Sequence, residues 1–350
     1  MKRILYLVAL FLLFLVAVAC SKDEAAPAST EPIEAEETEE TEENVENEET
    51  YKKMHPLTGL GTNEPINQRT IAVMVNNHPK ARPQSGLHKA DIVYEVLAEG
   101  NVTRFLAIFQ SEMPETIGPV RSARDYYVKL STGFDAFYIA HGYSPDAQQL
   151  LETGVVDNIN GMIYDGTLFK RAEFRKAPHN SYITFENVMK GAEDNNVATT
   201  HDLEPLTFLN EDEVGAIQGD ETGDVRVAYS KSDFSIVDYK FDSSVGRYLR
   251  YSMDELTEDL DSKEPVYLDN ILIVEASHEI IDDAGRNDID LTSGGNAYLL
   301  QKGKKMEVEW KNVNGRIVPY SNSQVVGLVP GKTWINLVPN LDMVSVISAN

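Results

Sequence analysis

Cysteine is nearly absent from this 350-residue sequence, which contains one Cys. A single thiol excludes an intramolecular disulfide and a thiolate metal cluster. Only one long apolar run is present, which excludes a protein with several membrane-spanning helices. Basic residues are also scarce, since 31 Lys and Arg stand against 56 Asp and Glu for a net charge of −25. Because nucleic-acid phosphates are bound by clustered positive charge, we do not expect this chain to bind nucleic acid.

The apolar run lies at the N-terminus and ends near the cysteine. Lys2 and Arg3 precede an uncharged apolar stretch that covers residues 4–18. At 1.5 Å per residue a helix of this length would span about 22 Å, which is short of the ~30 Å hydrocarbon core. The length and the basic start therefore favour a secretory signal over a permanent membrane helix.

The end of this run resembles the lipobox of bacterial lipoproteins, because Ala17-Val18-Ala19 directly precedes Cys20. The resemblance implies that residues 1–19 are a signal peptide and that Cys20, the lipid attachment residue, carries a diacylglyceryl group with acyl chains such as palmitate. Two acyl chains on one residue meet the two-signal requirement for stable membrane anchoring. The sequence thus predicts a lipid anchor on the extracytoplasmic face of the cell membrane. The alternative is an ordinary signal peptide in which Cys20 has no role.

Residues 20–54 are predicted to be the acylated cysteine and a disordered acidic tether. Residues 21–50 contain 13 acidic residues, one Lys and no aromatic residue. Such a segment cannot bury enough apolar surface to offset the entropy of ordering, and its like charges repel one another. As a flexible coil it spans at least about 30–35 Å.

Residues 56–205 alternate predicted strands with predicted helices, which indicates an α/β layered domain. The predicted strands cover residues 70–75, 90–98, 104–110 and 136–140. The predicted helices cover residues 123–132, 146–153 and 185–194. Ser144 is predicted to cap the second helix, with Pro145 at its first position.

Residues 210–224 are polar and acidic and are interpreted as an interdomain linker or a long loop. After them the apolar pattern changes to a period of two, which predicts a mainly antiparallel β domain over residues 225–347. The predicted strands there cover residues 225–229, 236–241, 247–251, 271–275, 297–301, 306–310 and 333–338. The predicted fold class of the whole chain is therefore α+β.

Several arginines lie beside predicted turns, and the candidates for anion binding are Arg104, Arg121, Arg124 and Arg175. Two of them, Arg121 and Arg124, lie near a predicted helix start, where free backbone N–H groups and the helix dipole favour an anion. Arginine also binds phosphate or carboxylate through two parallel hydrogen bonds. The alternative is that each guanidinium pairs with a nearby carboxylate, for which the candidates are Glu95, Glu99 and Asp125.

Two histidines also lie beside predicted strands. His141 follows one strand, and His179 and Asn180 precede another element. Polar side chains at strand ends of open α/β sheets often face a ligand, so these three residues are candidates for acid–base chemistry or ligand binding. The alternative is that they only make hydrogen bonds within their loops. No HExxH or CxxC spacing is present, so neither a metal nor a cofactor is predicted.

Motifs in both regions are similar to those of a known family. They are residues 103–109 (TRFLAIF), 118–125 (GPVRSARD), 177–180 (APHN) and 330–334 (PGKTW). Together they resemble the YerB-like lipoproteins of Gram-positive bacteria over roughly residues 56–345. The resemblance implies two domains of unknown biochemical function in the cell envelope and implies no reaction.

Two functions from different classes fit these observations. The first is a non-enzymatic envelope lipoprotein that binds a cell-wall component or an envelope protein through the N-terminal domain. The second is an envelope enzyme acting on a phosphorylated or glycan cell-wall precursor, in which an arginine-lined pocket holds the phosphate and His141 or His179 moves protons. Arginines that converge in one pocket with a histidine favour the enzyme, whereas arginines engaged in carboxylate pairs argue against it.

Changing Cys20 to Ala is expected to release the protein into the medium or to leave it unprocessed, because the residue that carries both acyl chains is gone. Membrane fractionation and electrophoretic mobility measure this outcome. Unchanged membrane retention together with unchanged mobility would argue against acylation at Cys20.

Overall fold

The computed structural model describes residues 51–347. The predicted signal peptide, Cys20 and most of the predicted tether lie outside the described residues. Within residues 51–347, none of the helices is both long and apolar enough to cross a bilayer.

Helices are few and short in the described range, and the longest has 10 residues. The α-helices are α1 (Asp125–Thr132), α2 (Pro145–Glu152), α3 (Gly161–Tyr164), α4 (Phe185–Asp194) and α5 (Glu211–Gly215). Single 3-10 turns occur at Pro79–Ala81, Leu87–Lys89, Glu99–Asn101, Asp233–Ser235 and Leu341–Met343.

Strands dominate the same range. They are β1 (Lys53–Met54), β2 (Gly61–Thr62), β3 (Ile71–Asn76), β4 (Ile92–Leu97), β5 (Thr103–Phe109), β6 (Thr116–Ile117), β7 (Phe137–Ala140), β8 (Asn158–Asn160), β9 (Phe169–Arg171), β10 (Ser181–Thr184), β11 (Asp220–Glu221), β12 (Asp224–Ala228), β13 (Ile236–Asp242), β14 (Arg247–Ser252), β15 (Glu255–Leu256), β16 (Tyr267–Leu268), β17 (Asn270–Glu275), β18 (His278–Ile280), β19 (Asn287–Ile289), β20 (Gly295–Gln301), β21 (Lys304–Val313), β22 (Arg316–Ser321), β23 (Gln324–Val325), β24 (Thr333–Val338) and β25 (Val344–Ile347).

One large mixed sheet organises the described residues. Its 12 strands run in the order β23-β22-β21-β20-β17-β24-β4-β5-β3-β7-β8, and β11 pairs with β21. Strand β24 lies between β17 and β4 and is parallel to both, so strands from the two predicted domains share one sheet. The remaining large unit is a six-stranded antiparallel sheet built around β12, β13 and β14. The many strands and few helices give the α+β class that the sequence predicts. The division into domains at residues 56–205 and 225–347 stays a prediction.

The large sheet is covered on both faces, which explains the uninterrupted apolar runs of its central strands. In β3, Ala72 and Met74 belong to the core on one face, and Val73 and Val75 belong to the core on the other. This alternation follows from the two-residue period of a strand. Helices α1 and α2 pack on the first face, and the six-stranded sheet and α4 pack on the second.

Local sequence signals agree with the elements that form. The Ser144 hydroxyl accepts a hydrogen bond from the Ala147 backbone N–H and caps α2, as predicted.

The segment 210–224, interpreted from the sequence as an interdomain linker or a long loop, differs from that expectation because it contains α5 and β11. A capping box between Asn210 and Glu213 starts this short helix, since each side chain accepts a hydrogen bond from the backbone of the other.

A buried ion pair joins the two large sheets. Glu95 of β4 and Arg250 of β14 are 0% and 1% exposed, and their closest charged atoms are 2.9 Å apart. Thr103 Oγ1 and Trp334 Nε1 donate further hydrogen bonds to the Glu95 carboxylate, at 2.8 and 3.0 Å. The Arg250 guanidinium also lies 5.0 Å from the centre of the Trp334 ring. The buried carboxylate is thus hydrogen-bonded by groups from two strands of the large sheet, β5 and β24, and neutralised by Arg250 of the six-stranded sheet.

Replacing Arg250 with Met is expected to lower the free energy of unfolding by about 3–5 kcal/mol, because it leaves the Glu95 charge buried without its partner. Equilibrium urea unfolding measures this change. The matched control is Arg226→Met, which breaks a two-contact ion pair with Asp238 whose arginine is 42% exposed. The control variant should lower the free energy of unfolding by no more than about 1 kcal/mol.

The double variant Glu95→Gln/Arg250→Met removes both charges and should be more stable than Arg250→Met alone. If the double variant is less stable than Arg250→Met, the unpaired charge of Glu95 does not account for the stability lost in Arg250→Met.

Candidate functional site

Polar residues gather at one edge of the large sheet, where parallel strands end. Strands β3, β7 and β8 are mutually parallel, so their carboxyl ends lie at the same edge. Residues 119–123 cross these ends, because the Arg121 N–H donates to the Met74 carbonyl and the His141 N–H donates to the Arg121 carbonyl. From the other side, the Val120 N–H donates to the carbonyl of Ser181 in β10. The segment that contains Arg121 is therefore held between three elements of the fold.

Two of the predicted arginines share one carboxylate. Glu99 Oε2 lies 2.8 Å from Arg104 Nη2, and Glu99 Oε1 lies 2.5 Å from Arg124 Nε. Burial alone would raise the pKa of Glu99, but the Arg124 hydrogen bond and the charges of both arginines lower it to about 2. For Arg104 and Arg124 the structure thus matches the alternative of carboxylate pairing.

Arg121 differs from these two arginines. Its side chain is half-buried, and within residues 51–347 it makes neither a hydrogen bond nor an ion pair. Burial, followed by the charges of Arg104 and Arg124, lowers the pKa of Arg121 to about 10, so the group is still a cation at neutral pH. Because Glu99 compensates only one charge, these three arginines keep an excess of positive charge.

His141 is fixed between Arg171 and Ser181. Arg171 Nη2 lies 2.8 Å from His141 Nε2, and Ser181 Oγ lies 2.7 Å from His141 Nδ1. A guanidinium is only a donor, so Nε2 accepts and Nδ1 carries the hydrogen that is donated to Ser181. This tautomer cannot take a proton from the serine hydroxyl, as the base of a serine nucleophile must.

His78 and His179 stack on each other with ring centres 4.4 Å apart. The Lys80 backbone N–H donates to His78 Nδ1 at 3.1 Å, and Asn76 Nδ2 lies 3.0 Å from His179 Nδ1. The Asn76 amide orientation is set by its Oδ1, which accepts from the His78 N–H. Both neutral rings therefore carry their hydrogen on Nε2 and can donate it to an anion.

Arg175 and Asn180 are held by their own surroundings. Arg175 donates to the carbonyls of Ala81 and Pro83 at 2.9 and 2.6 Å and to the Tyr182 hydroxyl at 2.5 Å, all of them neutral acceptors. Asn180 accepts from Arg171 at 3.3 Å and donates to the Ala172 carbonyl at 3.2 Å. Asn180 thus secures the loop, as the alternative interpretation expects, whereas Arg175 adds a cation that no carboxylate pairs within residues 51–347.

His78 and His179 stack on each other, and the pKa of each is lowered by burial and further by the charge of Arg121. We call these three residues the Arg121 cluster. Of these, His78 is not among the candidate residues that the sequence predicts. The sequence signal that could have identified His78 is its position shortly after a predicted buried strand, which is also the position of His141. Among the described residues, no group of three or more His, Cys, Asp or Glu side chains is placed to hold a metal ion. The chemistry that the cluster offers is donation of hydrogen bonds and positive charge to an anion.

Comparisons with known proteins agree with this architecture. Residues 57–198 match the model of a protein of unknown function (DUF3048), N-terminal domain, and residues 225–335 match the corresponding C-terminal domain. The chain is similar to "Putative lipoprotein YerB" of Bacillus subtilis (strain 168), with 47% identity over 99% of this chain and 98% of the relative. It is also similar to a crystal structure of YerB protein from Bacillus subtilis, with 51% identity and a TM-score of 0.79, covering 85% of this chain and 100% of that chain.

Replacing Arg121 with Gln is expected to raise the pKa values of His78, His141 and His179. Burial is the largest cause that lowers each pKa below 6.5, and the Arg121 charge lowers all three further. Other charges remain in the variant, namely Lys80 and Arg82 beside His78, Lys80 and Arg175 beside His179, and Arg171 and Asp165 beside His141. An NMR pH titration of the imidazole signals measures the shifts.

The control variant is Arg286→Gln, which removes an arginine that pairs with Asp282 at 2.7 Å in another loop. It should leave the three histidine pKa values unchanged. If the three histidine pKa values are also unchanged in Arg121→Gln, the Arg121 guanidinium does not lie close to the imidazoles. The Arg121 cluster would then not exist as a site.

Proposed function

This chain belongs to the DUF3048 family of YerB-like proteins, and from this premise we propose that it is a membrane-anchored envelope lipoprotein that binds an anionic ligand at the Arg121 cluster. The observation that carries the proposal is a half-buried guanidinium without a carboxylate partner in residues 51–347, in a chain whose net charge is −25. Desolvating a cation is costly unless an opposite charge compensates it. A bound anion supplies that charge.

The ligand class follows from the donors that surround Arg121. A guanidinium can donate two parallel hydrogen bonds to phosphate or carboxylate, and the Nε2–H groups of His78 and His179 add neutral donors. Arg175 adds positive charge nearby without a carboxylate of its own. This set fits a phosphate-bearing component of the cell wall better than a neutral glycan. It supports binding rather than proton transfer, because an Arg or Asn side chain or a backbone N–H occupies the basic nitrogen of each imidazole.

Anchoring and location are part of the same proposal. The lipobox-like sequence before Cys20 and the name of the Bacillus subtilis relative, a putative lipoprotein, support an acylated protein at the outer face of the cell membrane. The predicted tether of residues 20–54 is shortened at its end, because Lys53 and Met54 form β1 and pair with β2. An acidic tether that ends before β1 would let the folded part search about 30 Å or more from the anchor. Its negative charge would also keep it extended.

The domain division is proposed as an N-terminal α/β layered domain over residues 56–205 and a mainly β domain over residues 225–347. Two separate family models that match residues 57–198 and 225–335 are compatible with that division. The Arg121 cluster would then belong to the N-terminal domain. The buried Glu95–Arg250 pair would join the two domains.

Isothermal titration calorimetry of the full acylated chain in detergent tests the binding proposal, with inorganic pyrophosphate and phosphate-bearing wall fragments as probes. Arg121→Gln is expected to weaken binding by about tenfold or more, because it removes a hydrogen-bonding cation. Glu99→Gln is expected to strengthen it, because that carboxylate compensates Arg104 and Arg124.

Arg286→Gln is the control and should bind as the natural chain does. Absence of binding to both probes, or equal binding by Arg121→Gln, would falsify the proposal. Because Glu99→Gln moves the affinity in the opposite direction, a general loss of folding cannot imitate the expected pattern.

A further inference from the structure

A second location, adjacent to the Arg121 cluster through residues 78–83, also has the features of a binding site. An open cavity of about 300 Å³ lies where the loop after the Pro79–Ala81 turn meets β14 and β15. Its lining includes Arg82 and Pro83 from the first segment and Arg250, Glu255 and Leu256 from the second. A volume of this size is at the lower end of the range for small-molecule sites.

The inner wall of this cavity has uncompensated positive charge. Arg82 donates only to neutral acceptors, which are the Asn77 carbonyl and side-chain oxygen, the Ser252 hydroxyl and the Phe234 carbonyl. Arg250 is compensated by Glu95, so the buried group of Arg82, Arg250 and Glu95 keeps one excess positive charge. Burial, followed by the Arg250 charge, lowers the pKa of Arg82 to about 10, whereas the charges of Glu95 and Glu255 act in the opposite direction. Glu255 therefore interacts with Arg82 across the cavity, although the two groups are not within ion-pair distance.

The outer wall has a carboxylate that is similarly unpaired. Glu255 is exposed, and within residues 51–347 it makes no ion pair, although it lines the same cavity as Arg82. Glu258, the other carboxylate of the lining, lies 3.5 Å from Lys263. Pro83 and Leu256 add apolar surface between the two charged walls. One cavity thus presents an unpaired cation, an unpaired anion and an apolar wall.

We propose that this cavity binds a small zwitterion of the amino-acid class, a free amino acid or a dipeptide. Its carboxylate pairs with Arg82, its ammonium group pairs with Glu255, and its side chain contacts Leu256. A ligand with only one of these charges leaves the other wall uncompensated. The site is independent of the anion site proposed above and remains if that proposal fails.

The test is calorimetry of the full acylated chain in detergent with L-alanyl-L-alanine and D-alanyl-D-alanine, each also as its N-acetyl derivative and its C-terminal amide. At least one free dipeptide is expected to bind, and both blocked forms are expected to bind about tenfold or more weakly, because each lacks one charge. The part of pyrophosphate binding that is lost in Arg121→Gln reports on the Arg121 cluster, whereas dipeptide binding reports on this cavity.

Two variants complete the test. Glu255→Gln should remove the preference for the free dipeptide over its N-acetyl form, and Leu256→Trp should abolish binding by filling the cavity. Glu307→Gln changes an exposed carboxylate on β21 and should have no effect. No binding of either free dipeptide at about 10 mM, or binding that Glu255→Gln and Leu256→Trp leave unchanged, overturns the proposal.

Discussion

The buried Glu95–Arg250 pair is the interaction on which the arrangement of the two large sheets depends. A carboxylate that is 0% exposed is tolerated only when it is both neutralised and hydrogen-bonded, and Arg250 can do this only when β14 lies over β4. The apolar cores hold the sheets together without fixing their relative position, because hydrophobic contact is not directional. The ion pair is directional, and so are the hydrogen bonds that Asn336 Oδ1 of β24 accepts from Tyr239 of β13 and from Tyr229, which directly follows β12.

The same principle of charge compensation separates arginines that pair with carboxylates within the fold from those that we propose to bind a ligand. Arg104, Arg124 and Arg250 have carboxylate partners at 2.9 Å or less, and their positions follow from the fold. Arg82 and Arg121 have no such partner within residues 51–347, although both are partly removed from water. Arg175 and Arg316 also lack a carboxylate partner there and donate to neutral acceptors. Arg121 differs from them because its side chain makes no hydrogen bond in that range, and Arg82 differs because it lines a cavity together with Glu255. This contrast, rather than the number of arginines, is what directs attention to two ligand sites.

Local sequence signals predicted much of the secondary structure because short-range physics sets it. Helix α4 begins at Phe185 and ends at Asp194, as predicted, and the Ser144 cap forms because a hydroxyl can reach a free N–H three residues away. The 210–224 segment was read as a loop from its acidity, although the Asn210–Glu213 capping box marks a helix start. For the site, the sequence pointed to Arg121 and His179 but not to His78, whose partner is 101 positions away in the chain.

By itself the sequence predicted the α+β class, the acidic N-terminal segment and eleven of the strands, among them β3, β5 and β24 but not β8, β10 or β22, and it supplied candidates for anion binding. All of these follow from composition, periodicity and neighbours along the chain. Only the tertiary structure decided that Glu99 compensates two arginines, that β24 lies between β17 and β4, and that Arg121 has no partner within the described residues. Charge pairing and strand order depend on which distant segments meet in space, and no local pattern encodes that meeting.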